Sequence, residues 1–195
     1  SARSAWGEVV AVVVRVQHSV PFSSAALGAI FVSGSSDRTL RVWNMHTWEC
    51  DRVLEGHTSD VFCLAEFKGK VVSGSANFTI KLWDPRTGQC KRTLEAPEGV
   101  YSLFVVGDKL VSGHGEGRIL VWCTETWTVE RTLEGHANGV LVVGDVLASS
   151  SSDGKVVLRD VHKKEGDIQL LTHSQLGCGV DCLAEFMGKV VTAGE

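Results

Sequence analysis

Along most of this chain apolar and polar residues alternate in short runs, each closed by a turn signal. Thr79-Ile80-Lys81-Leu82-Trp83 is the cleanest run, with every second side chain apolar, as a strand with one buried face requires. Around it the same reading gives strands at about 60–66, 71–75 and 90–94. Gly69-Lys70, Ala76-Asn77 and Pro85-Arg86-Thr87-Gly88 mark the turns between them. No window sustains a helical period over 11 or more residues. The pattern predicts an all-β chain of short, hairpin-connected strands.

The strands recur as a unit. Val32-Ser33-Gly34-Ser35, Val72-Ser73-Gly74-Ser75 and Val111-Ser112-Gly113-His114 repeat at spacings of 40 and 39 residues. Leu40-Arg41-Val42-Trp43 is echoed by Ile80-Lys81-Leu82-Trp83 and by Leu120-Val121-Trp122. Arg52-Val53-Leu54-Glu55-Gly56-His57 returns as Arg131-Thr132-Leu133-Glu134-Gly135-His136, whereas Arg92-Thr93-Leu94-Glu95 runs into Ala96-Pro97. A fourth, worn unit has Ala148-Ser149-Ser150 and Val157-Leu158-Arg159-Asp160, and its first strand must be clipped, because His136 stands closer to Ser149 than His57 does to Ser73. Val180-Asp181-Cys182-Leu183-Ala184-Glu185-Phe186 nearly copies Val61-Phe62-Cys63-Leu64-Ala65-Glu66-Phe67 and opens a fifth. The units run at about 18–56, 57–95, 96–135 and 136–172, with a partial unit at 173–195, all in one domain over 1–195. Residues 9–16 overlay the last strand of a unit, so they are expected to be an orphan strand d.

Composition narrows the classes. Of 195 residues, 44% are hydrophobic and 22% charged, far from a disordered chain. A net charge of −4 gives no bulk attraction to nucleic acid or to an anionic membrane, and mixed runs such as Lys163-Lys164-Glu165 read as solvated turns. The apolar run 9–14 is far short of the roughly 18 residues a membrane helix needs and lacks a cleavage site. Six cysteines could suggest disulfides, but Cys50 with Cys90 and Cys63 with Cys182 sit at equivalent strand places, which reads as reduced thiols in the cytoplasm or nucleus. His173, Cys178 and Cys182 have loose spacing and no fourth ligand, so neither a metal nor another cofactor is expected.

A His, a Ser and a carboxylate or amide recur in each register: His18, Ser33 and Asp37 with Trp43; His57, Ser73 and Asn77 with Trp83; His136, Ser149 and Asp153 with Arg159 in place of Trp. A hydrolase triad uses these residue types, but catalysis needs one site with an oxyanion hole, and repetition argues for structure. The expected role is a buried chain of hydrogen bonds from carboxylate to imidazole to hydroxyl to indole N–H. Unit three has Pro97 and Glu116 where His and Asp belong, so its chain is expected to be absent.

Gly-His, Ser-Gly and Trp-Asp signatures at this period resemble the WD-repeat (WD40) β-propellers. The resemblance implies four-stranded blades, the same structural tetrads and a non-catalytic role as a protein-interaction scaffold. Short a–b turns at 67–70 and 106–109 are similar to those of propellers in F-box ubiquitin-ligase adaptors and in RING, zinc-finger or myosin-heavy-chain-kinase proteins. By the same resemblance, Phe62, Tyr101 and Asp181 line the rim of the central channel, with Ser36, Ala76, Gly115 and Ser152 beside them. Phosphopeptide-reading adaptors place arginines there, and this chain has none. Trp48 and Trp127, at c–d turns, could pack flat over their own turns or form a second partner surface.

The expected function is therefore a partner-recruiting propeller scaffold binding proteins or peptides. A ubiquitin-ligase substrate-recognition propeller is the alternative within binding, and a propeller hydrolase the alternative among enzymes. Seven blades of about 40 residues need about 280, so four full blades with partial terminal strands suggest part of a larger propeller. The rest of that propeller, or another copy joined at open blade edges, is then an expected partner.

Overall fold

A computed structural model describes residues 14–16, 30–133, 139–150, 155–163, 167–172, 182–186 and 189–193. Regular structure among these residues is β throughout, apart from one 3-10 turn at Gly115–Gly117. The chain divides into two compact units, Ser1–Leu103 and Phe104–Glu195.

The strands form four four-stranded antiparallel sheets and one two-stranded sheet. The first holds β1 (Val14–Val16), β2 (Ile30–Gly34), β3 (Leu40–Asn44) and β4 (Cys50–Leu54) in that order. The second holds β5 (Val61–Phe67), β6 (Lys70–Ser75), β7 (Thr79–Trp83) and β8 (Cys90–Glu95). The third holds β9 (Val100–Val106), β10 (Lys109–His114), β11 (Ile119–Cys123) and β12 (Thr128–Leu133). The fourth holds β13 (Gly139–Val143), β14 (Val146–Ser150), β15 (Lys155–Asp160) and β16 (Asp167–Thr172), and β17 (Cys182–Phe186) pairs with β18 (Lys189–Ala193). β13 is five residues long where β5 and β9 have seven, as the short spacing before Ser149 requires.

One expectation changes. The pattern places Val14–Val16 within an orphan strand d at 9–16, but β1 pairs with β2, Val14 opposite Val32, in the first position of the first sheet. Period-2 alternation identifies a strand and not its place in a sheet, and a first strand and a last strand carry the same signal.

Burial follows strand position. Five of the six residues of β6 are buried, whereas in β4 and β8 only Leu54 and Leu94 are, so the fourth strand of the first two sheets is the outer one. In the first unit Val32, Leu40, Val42, Leu54, Val61, Leu64, Val71 and Trp83 form one core. In the second Val106, Val111, Ile119, Val121, Leu147 and Val161 form another. The Ser-Gly pairs mark where successive sheets touch. A Cβ at Gly34 would lie 2.7 Å from Val61 Cγ1, and one at Gly74 would lie 2.5 Å from Val100 Cγ1. Any side chain there would push the sheets apart.

Register irregularities recur in the same place. The pairing of third and fourth strands shifts between Val42 and Trp43, Leu82 and Trp83, Val121 and Trp122, and Leu158 and Arg159. A bulge re-aims the side chain that carries it. Here it occurs at the Trp position of every complete sheet, or at its Arg replacement.

Candidate functional site

The second sheet shows the complete hydrogen-bond chain. Trp83 Nε1–H donates to Ser73 Oγ at 2.8 Å, and Ser73 Oγ lies 2.7 Å from His57 Nε2. His57 Nδ1 lies 3.3 Å from Asn77 Oδ1, which accepts only, so Nδ1 carries the proton and Ser73 O–H donates to Nε2. Thr79 closes the turn by donating its hydroxyl to Asn77 Oδ1 at 2.7 Å. Burial pushes the His57 pKa down to about 4. The Asn77 hydrogen bond opposes that shift and the Lys81 charge adds to it, leaving a neutral imidazole at pH 7. Ser73 is 0% exposed and His57 6%, so no substrate carbonyl can reach this hydroxyl. The arrangement ties the loop before β5 to the β6–β7 turn and to the inner strands. Its chemistry is structural.

The other sheets vary the theme. In the first, Trp43 Nε1–H donates to Ser33 Oγ at 2.9 Å; His18 lies outside the described residues. Asp37 accepts from Thr39 N, Thr39 Oγ1 and Arg41 Nη2 at 3.0, 2.6 and 3.3 Å. Burial raises the Asp37 pKa, and hydrogen bonds from Thr39, Ser35 and Arg41 outweigh it, so the carboxyl titrates below its ordinary range. In the fourth, the bulge places buried Arg159 where Trp belongs, and its Nη1–H donates to Ser149 Oγ at 3.2 Å. His136 and Asp153 lie outside the described residues.

The third sheet corrects an expectation. Pro97 does remove the loop histidine, but the imidazole–hydroxyl–indole part of the chain is present: Trp122 Nε1–H donates to Ser112 Oγ at 2.8 Å, and Ser112 Oγ lies 2.7 Å from His114 Nε2. His114 stands two residues after Ser112 on the same strand, hence on the same face, and is buried. The signal lay in Val-Ser-Gly-His at 111–114, where the first two units read Val-Ser-Gly-Ser.

At the end of the sheets where these loops gather, Phe62 and Tyr101 stack with ring centroids 4.9 Å apart and an interplanar angle of 17°. Val61 pairs with Ser75 and Cys63 with Gly74, which leaves Phe62 as the bulged residue between them. Tyr101 is 55% exposed, and its ring lies over the backbone of Gly99, where an added Cβ would come within 3.4 Å. Ser36, in the β2–β3 turn, is half-buried; Asp181 lies outside the described residues.

At the opposite end Trp48 and Trp127 occupy the same turn position as Gly88, with φ 60, 61 and 79. Their N–H groups donate to the carbonyls of Asn44, Cys123 and Asp84 respectively. Trp48 is 69% exposed, so its ring does not pack flat over the turn, while Trp127 is half-buried. Sequence reasoning missed the residue that organises these turns. Asn44 Oδ1 accepts from His46 and Thr47 N–H, and Asp84 Oδ1 from Arg86 and Thr87 N–H. Cys123 takes that place in the third sheet, and hydrogen bonds from Thr126 and Glu125 hold its thiol below the usual range. The outer strands brace the turns in turn: Arg131 Nη1–H donates to the carbonyls of Asp160 and Val161 at 3.1 and 3.4 Å. Among the described residues no group of three or more His, Cys, Asp or Glu is placed to hold a metal, and His173 and Cys178 lie outside them.

Residues 17–44, 48–84 and 127–160 match the family model of the WD domain, G-beta repeat. The chain belongs to the WD40-repeat family. Its four-stranded sheets are WD-repeat propeller blades, a fold that generally serves as a protein-interaction scaffold. The chain is similar to the WD repeat-containing protein pop1 of Schizosaccharomyces pombe, 46% identical over 43 residues, which are 22% of this chain and 6% of that protein. It is also similar to cell division control protein 4 of Saccharomyces cerevisiae, 54% identical over 39 residues, 20% of this chain and 5% of that one. The matches thus span only a small part of these relatives. The crystal structure of the computationally designed Ika8 protein superposes with a TM-score of 0.72 at 31% identity, covering 89% of this chain and 54% of that one. No helix among the described residues is long and apolar enough to cross a membrane.

Proposed function

We propose that this WD40 chain recruits a protein or peptide partner through the blade rim that carries Phe62, Tyr101 and Ser36, and that it performs no catalysis itself. The Phe62–Tyr101 stack, in which Tyr101 is exposed, carries the reading. A bulge falls at half-buried Phe62, and Tyr101 leaves apolar surface in water that a folded core would normally hide. The serine and histidine pairs do not compete as an active site, since Ser33, Ser73, Ser112 and Ser149 are all buried and repeated. Four described cysteines, Cys50, Cys63, Cys90 and Cys123, are free, which supports a reducing compartment, cytoplasm or nucleus.

A second reading, the substrate-recognition propeller of a ubiquitin ligase, draws on the two-residue a–b hairpins. Lys68 and Gly69 are both left-handed, at φ 48 and 73, and the next hairpin turns at Gly107-Asp108. The rim residues lack the arginines that would grip a phosphopeptide, so this reading needs an unphosphorylated substrate. The remainder of a larger propeller, or a second copy at an open blade edge, would then be a structural partner.

The test is capture of partners by immobilised protein, native against a Phe62→Ala, Tyr101→Ala double variant with an unchanged unfolding midpoint. The rim reading expects the specific partners to be lost. Retention of all of them overturns it.

A further inference from the structure

We infer that the part-open side of the first sheet, with Phe31, Trp43 and Trp48, seats the outer half of a further WD-repeat blade that presents two aliphatic side chains and an arginine. This face is separate from the rim of Phe62 and Tyr101, and the inference does not rest on the rim reading. It follows from how the later sheets are covered. Val71 lies opposite Trp83 in the second sheet, and the two share a core with Val42 and Leu54 from the third and fourth strands of the first. In the second unit Leu147 of the fourth sheet likewise shares a core with Ile119 and Val121 from the third strand of the third. So this side of a sheet packs on the outer half of the sheet before it.

The first sheet departs from that burial. The cross-strand pair is Val71 with Trp83 in the second sheet, Leu110 with Trp122 in the third and Leu147 with Arg159 in the fourth, and all six residues are buried. In the first sheet the pair is Phe31 with Trp43, stacked with centroids 5.8 Å apart, and both are only half-buried. Cross-strand partners share a face, so the two rings stand together on the side that the later sheets bury.

The turn beyond the pair repeats the contrast. A Cβ at Gly88 would meet Arg52 Cδ at 2.8 Å and Leu54 Cδ2 at 3.5 Å, so β4 lies over the turn of the second sheet. Arg131, at the same register place in β12, donates to the carbonyls of Asp160 and Val161 in the turn of the fourth. Trp48 holds the Gly88 place in the first sheet and is 69% exposed. Trp127 has nearly the same φ and the same N–H to carbonyl closure, yet is half-buried, so the turn alone does not expose an indole. The occupant that matches these contacts carries aliphatic residues at the Val42 and Leu54 places and an arginine at the Arg52 place, its stem along the Trp48 ring. A second copy of this chain fits poorly. Its last four-stranded sheet among the described residues ends in β16, where Gln169 faces Leu158 as Arg52 faces Val42.

The experiment joins a copy of residues 14–54, the strands of the first sheet, ahead of the whole chain. The copy carries Trp48→Gly, so that only the Trp48 of the chain itself reports. Fluorotryptophan NMR, assigned with Trp48→Phe in the chain, follows that indole. With the copy in place its signal should move and lose most of its solvent isotope shift, and the urea midpoint should rise. Arg52→Gln in the copy, at an exposed position, should return part of the exposure. The inference is overturned if the copy leaves Trp48 as exposed as before, and a copy that stays unstructured beside an unchanged Trp48 counts the same way, since a face built for it should order it. It is overturned in its arginine if the Arg52→Gln copy covers Trp48 as fully. Sedimentation of the native chain supplies the remaining arm: dimers that cover Trp48 as concentration rises would make a second copy the occupant and overturn the further blade.

Discussion

The buried serine chain of the second blade and the aromatic ledge at its end invert the ordinary placement of residue types. Ser73, His57 and Asn77 are polar and enclosed, while Tyr101 and Phe78 are aromatic and face water. A buried polar group persists only where each donor and acceptor is matched, and matched groups fix a unique geometry. An exposed ring contributes little to folding and is free to contribute to binding. The residues that resemble catalytic chemistry serve the fold of the second blade, and the stack that Phe62 makes with Tyr101 of the third carries the proposed function.

The largest expected effect is on the buried side. Trp83→Ala removes a ring that is almost fully enclosed and leaves Ser73 Oγ without its indole donor, which should cost about 3–5 kcal/mol. Trp127→Ala, half-buried at a turn, should cost much less, and comparable urea midpoint shifts for the two would break the contrast.

Acid should act on the same chain. The folded state holds His57 near pKa 4 against an ordinary 6.5, so between those values the unfolded chain binds the proton more readily. The stability that neutral His57 provides is complete above about pH 6.5 and is lost as pH falls toward 4, on the order of 3 kcal/mol in all. Denaturant titrations at pH 7 and 4.5 should show this fall in the native chain, and a smaller one in His57→Gln. Equal falls in both would mean that the imidazole is not held neutral.

A smaller change sharpens the exposed side. Trp48→Gly relieves a left-handed backbone at φ 60 and gives up little packing, so stability should rise by about 0.5–1 kcal/mol. A loss of more than about 1 kcal/mol would show that the indole packs after all.

Much of this was legible because repetition exposes itself. The spacing of Ser33, Ser73 and Ser112, and the Trp ten residues beyond each, announced the b and c strands, and with them the Ser33–Trp43 and Ser73–Trp83 hydrogen bonds. The third blade was harder to read. It lies mostly within residues 85–126, outside the family-model matches, and its histidine stands on the strand rather than in the loop. A register-based reading looks for His at a fixed offset, whereas the fold requires only an imidazole within reach of Ser112 Oγ. The place of β1 was illegible for a different reason, since pairing partners are set by tertiary contacts that alternation does not encode. The bulge at Phe62 also left no mark in the sequence, though the aromatic itself did.

The most direct measurement sets the two regions against each other in one assay. Native protein, the Phe62→Ala, Tyr101→Ala variant and Ser73→Ala would be compared for partner capture at a temperature where all three are folded by circular dichroism. The account predicts that Ser73→Ala, though destabilised by about 1–3 kcal/mol, captures the same partners as the native chain, while the rim variant loses them. Capture lost by Ser73→Ala and kept by the rim variant would contradict it.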